Sequence, residues 1–167
     1  MTGLIILAII VAVVGYAIYI YNQLVAKRQF KNEGWSGIDV QLKRRTDLIP
    51  NLMETVKGYM GHERDTLEAV MNARAAATAG ANASPAERGM LEGALSGALG
   101  RLLAVAEAYP DLKANTTFLE FQNALRTVED EIQMSRRYYN GTVRDLNTAV
   151  ESFPSNVVAN VFHFDKA

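Results

Sequence analysis

The chain contains no cysteine, which excludes disulfides, thiolate nucleophiles and cysteine-held metals. The same absence leaves the compartment open, since a chain without thiols suits either side of a membrane. Histidine is scarce: His62 and His163 are the only two. Neither belongs to the Glu-x-x-His pairs with which helical bundles hold two metal ions, and His62-Glu63 lacks the second histidine of a zinc-protease helix. No serine or threonine stands in a triad or elbow context that would supply it with a base. The expectation is therefore a protein that is not an enzyme and uses no metal or other cofactor. An excess of positive charge is missing too. With 17 Lys and Arg against 18 Asp and Glu and a net charge of -1, the chain lacks the basic footprint that nucleic acid requires of a partner. At 167 residues there is room for one membrane segment and one domain.

What the sequence does have is a long uncharged apolar run. From Leu4 to Tyr21 there is no ionisable Asp, Glu, Lys or Arg, and at ~1.5 Å per residue this stretch is long enough to cross a hydrocarbon core. Tyr16, Tyr19 and Tyr21 gather at its end, where amphipathic rings favour the headgroup layer. A cleaved signal peptide is the competing reading, but Met1-Thr2-Gly3 supplies no basic start and no small-residue cleavage site closes the run. Lys27, Arg28 and Lys31 follow the span, and basic flanks stay cytoplasmic. The expectation is a single-pass membrane protein whose bundle faces the cytoplasm.

Beyond the span the apolar residues recur with helical period and nowhere alternate as a strand. The fold class expected is all-α: an N-terminal transmembrane helix followed by an antiparallel four-helix bundle with long helices, divided as anchor 1–22, bundle 23–153 and membrane-proximal tail 154–167. The first stretch runs from about Asn22 to Arg45, continues the membrane helix or starts anew, and buries Leu24, Trp35, Ile38 and Leu42. Thr46-Asp47 then offers a cap and Pro50 a first-turn proline, so a tight turn is expected there. Leu48 to Ala79 forms the second helix, with Leu52, Val56, Tyr59, Leu67 and Val70 inward and Gly58 and Gly61 as candidate bends. Ser84-Pro85-Ala86-Glu87 reads as a capping box for a third helix that stops near Pro110. The fourth alternates by three and four from Phe118 through Phe121, Leu125, Val128, Ile132, Ser135, Tyr139, Thr142, Leu146 and Ala149 to Phe153. An up-down-up-down order then returns the segment from Pro154 to Phe162 toward the bilayer, onto lipid or a neighbouring subunit.

Three features have two readings each. Gly89, Gly93 and Gly97 recur every fourth residue, each giving up as much as ~1 kcal/mol of helix propensity. Either an aromatic of the fourth helix fills that face, the reading preferred here, or a helix of another subunit does. The charges Asp39, Lys43, Arg44, Arg45 and Asp47, and Glu129, Asp130, Glu131, Arg136 and Arg137, read first as solvated faces. The alternative is that Arg45 or Asp39 is partly buried and fixes helix register. Tyr138-Tyr139-Asn140 reads as core and interface.

The run from Gly34-Trp35-Ser36-Gly37-Ile38-Asp39 through Arg45-Thr46-Asp47-Leu48-Ile49-Pro50-Asn51-Leu52 resembles the signature of the bacterial LemA family. Arg136-Arg137-Tyr138-Tyr139-Asn140-Gly141-Thr142-Val143-Arg144, with Ser152-Phe153-Pro154-Ser155-Asn156, resembles its C-terminal motif. The resemblance implies a membrane-anchored antiparallel helical bundle of the bacterial inner membrane with no catalytic residues, and a branch in magnetosome membranes suggests membrane organisation. The sequence departs from the pattern at Gly37, where an acidic residue is common, and in ending soon after Phe162-His163-Phe164, where relatives often continue with an acidic aromatic tail. The function expected is a non-enzymatic scaffold, a homo-oligomer held by contacts at Gly89, Gly93, Gly97, Tyr138 and Phe162 that organises the bilayer. The alternative is an adaptor presenting a client to a membrane-protein partner such as a quality-control protease.

Overall fold

Every apolar repeat becomes helix. The computed structural model describes residues 1–167, with α1 over Thr2–Lys57, α2 over Arg64–Ala79, α3 over Pro85–Ala106, α4 over Pro110–Lys113, α5 over Thr116–Glu151 and α6 over Ser155–Val161. A 3-10 turn at Gly80–Asn82 joins α2 to α3, and no strand forms. The chain divides into two units, one of residues 40–132 and one of residues 1–39 with 133–167.

Within the 40–132 unit the expected turn at Thr46-Pro50 does not form, because α1 continues through Pro50 to Lys57. A proline inside a helix withdraws the N–H that would bond the carbonyl four residues back, here that of Thr46. Arg74 on α2 supplies the missing donor, its Nε lying 3.2 Å from the Thr46 carbonyl. The Thr46 hydroxyl donates to the Leu42 carbonyl at 3.0 Å and so caps no new helix. The chain breaks instead after Lys57, in the segment that holds Gly58 and Gly61. There the N–H groups of Tyr59 and Met60 both return to the Val56 carbonyl, at 3.0 and 2.9 Å. Met60 plugs the core at this turn while Tyr59, expected inside, is exposed.

The helix starts are set by local chemistry. Ser84 accepts a bond from the Glu87 N–H at 3.3 Å, with Pro85 opening α3, as the capping-box spacing requires. Asn115 does the same for α5, its Oδ1 accepting from the Phe118 N–H at 3.0 Å. Pro110 begins the one-turn α4 and so does more than stop α3. Helices α2 and α3 run antiparallel: the Tyr109 hydroxyl donates to Glu63 at 2.9 Å at one end, and Leu91 occupies the space of a Gly80 Cβ at the other. Between them and the flanking parts of α1 and α5 lies the core, in which Leu52, Met53, Val56, Leu95, Leu102, Leu112, Phe118 and Leu125 are buried together.

The other unit pairs the N-terminal part of α1 with the C-terminal part of α5. They approach closely at Gly34, where an added Cβ would stand 3.2 Å from the Tyr139 Cα and 3.3 Å from the Tyr138 ring. Trp35 lies against Tyr139, ring centroids 5.4 Å apart. Helix α6 packs on α1 through Val158 and Ala159, which join Ile20, Leu24 and Phe164 in a second core. Leu146 on α5 is buried, and Tyr139, Thr142 and Ala149 are half-buried, as the three-four repeat foretells. Phe153 departs from that repeat: α5 ends at Glu151 and the ring is 82% exposed. It precedes Pro154, a position disfavoured in helical conformation.

Candidate membrane and interaction surfaces

Two helices are apolar and long enough to cross a membrane, and burial separates them. In α1 only 6% of the apolar window is buried inside the protein, against 33% in α3. From Leu4 to Tyr19 the large side chains, Ile5, Leu7, Ile9, Ile10, Val13 and Val14 among them, all point outward without cover. A contiguous apolar surface of this kind is far beyond what a soluble monomer leaves in water. Tyr16 and Tyr19 stack at 6.5 Å near the end of the run. Just past it an aromatic cluster forms: Tyr21 meets Phe162 edge-on at 4.9 Å and Phe164 at 5.7 Å. The Arg28 guanidinium lies 4.9 Å over the Phe164 ring, a cation-π contact.

The glycine face of α3 is open. Nothing lies within 4 Å of where a Cβ of Gly89, Gly93 or Gly97 would stand, and all three are exposed. The reading in which an aromatic of α5 fills this face is therefore corrected. The reason is helical phase: α3 turns Leu95, Leu99 and Leu102 inward with Arg88 and Glu92, which leaves the glycines outside beside Met90, 71% exposed. Tyr138 is also largely exposed. It borders a groove of about 270 Å³ lined by Gln23, Ala26, Lys27, Phe30, Thr142 and Asp145. A second groove, of about 390 Å³, runs along α3 and α5 in the other unit past Ser96, Gly100, Leu103 and Arg126.

The solvated-face reading of the first charge cluster is corrected for one residue. Arg45 is 1% exposed. Its guanidinium donates to Glu92 Oε2 and Glu129 Oε1, both at 2.5 Å, to the Glu92 carbonyl at 3.1 Å and to the Ser96 hydroxyl. Ser96 in turn donates to Glu129 at 3.3 Å. A buried guanidinium demands such partners, since burying a charge unpaired costs several kcal/mol, of order 3–5 when one partner is deleted. Arg44, by contrast, pairs at the surface with Glu131 at 2.7 Å, and Asp39, Asp47 and Asn140 are exposed. The residues missed from sequence are Arg88, Glu92 and Ser96. Arg88 and Glu92 stand on the stripe that continues with Leu95 and Leu99, and charges on an otherwise apolar stripe were the available signal. Arg88 also binds the Ala81 carbonyl at 2.9 Å, fastening the 3-10 turn. At the far end of α3 the hydroxyl of Tyr109 has its pKa raised, first by its hydrogen bond to Glu63, then by burial and by the carboxylate's charge.

The sequence pattern of the LemA family matches residues 34–167. The chain belongs to the LemA family. The LemA match opens at Gly34, the point where α1 meets Tyr139, so most of the exposed apolar helix precedes it. Among relatives, the Protein LemA of Metamycoplasma hominis is 29% identical over 148 residues, covering 86% of this chain and 66% of its own length. Magnetosome protein MamQ 2 of Paramagnetospirillum magneticum is 24% identical, covering 95% of this chain and 67% of its own length. Magnetosome protein MamQ of Magnetospirillum gryphiswaldense is 22% identical, covering 87% and 62%. The chain thus spans about two thirds of the length of the curated relatives it matches.

Proposed function

We propose that this LemA-family chain is a non-enzymatic, membrane-anchored scaffold that associates laterally with copies of itself and organises the bilayer. The observation that carries the reading is the coexistence of two uncovered surfaces. The apolar part of α1 has no protein over it, and the glycine face of α3 has nothing within reach of a Cβ. The first calls for lipid. The second suits a neighbouring helix, because small residues let backbones approach closely. Anchoring confines copies to two dimensions, so weak side contacts gain from high effective concentration. In this reading residues 1–22 are the anchor, α1, α2, α3 and α5 make an antiparallel four-helix bundle within 23–153, and residues 154–167 are the tail nearest the membrane. Lys27, Arg28 and Lys31 set the orientation in the bacterial inner membrane, with the bundle in the cytoplasm. Gly89, Gly93, Gly97, Tyr138 and Phe162 are the contact residues.

An adaptor function is the second reading, favoured by the groove along Ser96, Gly100, Leu103 and Arg126, which would take a segment of a membrane-protein client. Crosslinking and electron microscopy of the full-length protein extracted in native lipid separate the two. The scaffold predicts a regular homo-oligomer; monomers at every protein-to-lipid ratio overturn it, and a defined hetero-complex favours the adaptor.

A further inference from the structure

Helix α6 carries apolar residues on both sides, and only one side is covered. Val158 and Ala159 are buried against Ile20 and Leu24 of α1. On the other side Val157 and Val161 are exposed, the latter at 65%, together with Phe162 and the preceding Phe153. Residues Ser155 to Val161 include no charge, so carrying them out of water strips no ion of its hydration. We propose that this outer face is a second membrane contact: α6 lies in the interfacial layer of the leaflet from which α1 emerges, with Val157 and Val161 among the glycerol and upper acyl groups of the lipid.

The placement follows from the anchor reading, on which this inference rests. The uncharged run Leu4 to Tyr21, at ~1.5 Å per residue, matches a hydrocarbon core of roughly 30 Å, which puts Tyr21 at its boundary. Phe162 touches the Tyr21 ring, so the outer face of α6 continues the exposed apolar surface of α1 at that depth. The first basic groups lie beyond it, and Arg28 is held over Phe164, where a guanidinium meets headgroup phosphate. A lipid surface rather than a second copy is the fitting occupant, because the exposed side of α6 continues, past the Tyr21–Phe162 contact, the uncovered apolar surface of α1.

The absence of cysteine lets single spin labels be placed in the native chain. Val157→Cys and Val161→Cys are labelled in full-length protein reconstituted into phosphatidylethanolamine–phosphatidylglycerol vesicles, with Val11→Cys as a label inside the span and Glu120→Cys, exposed on α5, as one in water. Collision with dissolved oxygen is compared with collision with a water-soluble nickel chelate. The expected result is oxygen preference at positions 157 and 161, at a depth of about 5–10 Å as for interfacial helices. Nickel access at 161 equal to that at 120, with position 11 still in lipid, overturns this inference alone. Protection from both reagents at 157 and 161 also overturns it, because protein then covers the face. Nickel access at position 11 overturns the anchor, and this inference with it.

Discussion

The two units are held together differently. Sixteen buried apolar residues form the core of the 40–132 unit, whereas five form that of the other. The first is therefore completed by water, which drives its side chains inward. The second leaves the large apolar side chains from Leu4 to Tyr19 exposed and, in the anchored reading proposed above, is completed by lipid around α1. A further difference is polarity: the larger core encloses Arg45 and Glu92, which the smaller one has no counterpart to. Burial of charge is tolerated where a dense surrounding structure holds the partners in place.

Deleting the buried cation tests that contrast most severely. Arg45→Ala leaves Glu92, 2% exposed, without its guanidinium and is expected to cost about 3–5 kcal/mol of stability in chemical denaturation of the full-length protein in lipid nanodiscs. Arg45→Met combined with Glu92→Met is expected to recover most of that loss; no recovery would mean the cost was packing alone. Next in size is the repair of Pro50. Arg74→Ala is expected to cost about 1.5–3 kcal/mol, the range for hydrogen bonds to charged groups. In a Pro50→Ala background, where residue 50 again supplies an N–H to Thr46, the same deletion should cost far less, and equal costs in both backgrounds would refute the repair.

In the smaller unit, Gly34→Leu drives a side chain into Tyr138 and Tyr139 and is expected to cost about 1–3 kcal/mol, as overpacking does. Hydrogen exchange should quicken around residues 20–39 and 139–165 and stay unchanged in α3 if the two units are energetically separate. The smallest effect is alkaline. The Tyr109 pKa is raised in the fold, so the stability its hydrogen bond to Glu63 contributes is full below the ordinary tyrosine range and fades as pH climbs through the raised value. Tyr109→Phe should flatten this dependence, read from thermal unfolding across alkaline pH.

The all-helical fold and the inward seam of α5 were legible because three-four periodicity is a local property, carried by Phe118, Leu125, Val128, Ile132 and Leu146 without reference to anything else. Caps at Ser84 and the exposed span of α1 were legible for the same reason. What escaped depends on residues far apart in the chain. Pro50 looks like a helix start until Arg74, 28 residues after Thr46, supplies the donor, and Arg45 looks solvated until Glu92 and Glu129, 47 and 84 residues on, surround it. The glycine face was visible as a pattern, but which way it turned was decided by the stripe of Arg88, Glu92 and Leu95 that α3 buries in its place.

A scaffold of this kind requires lateral self-association through that open face. Its most direct test is the particle mass distribution of full-length protein in detergent-free native-lipid discs, measured for the wild type and for Gly89→Leu with Gly93→Leu. High-mass homo-oligomers are expected for the wild type and a shift to single chains for the variant, with helix content unchanged. An identical distribution for the two, whether oligomeric or monomeric, would contradict it.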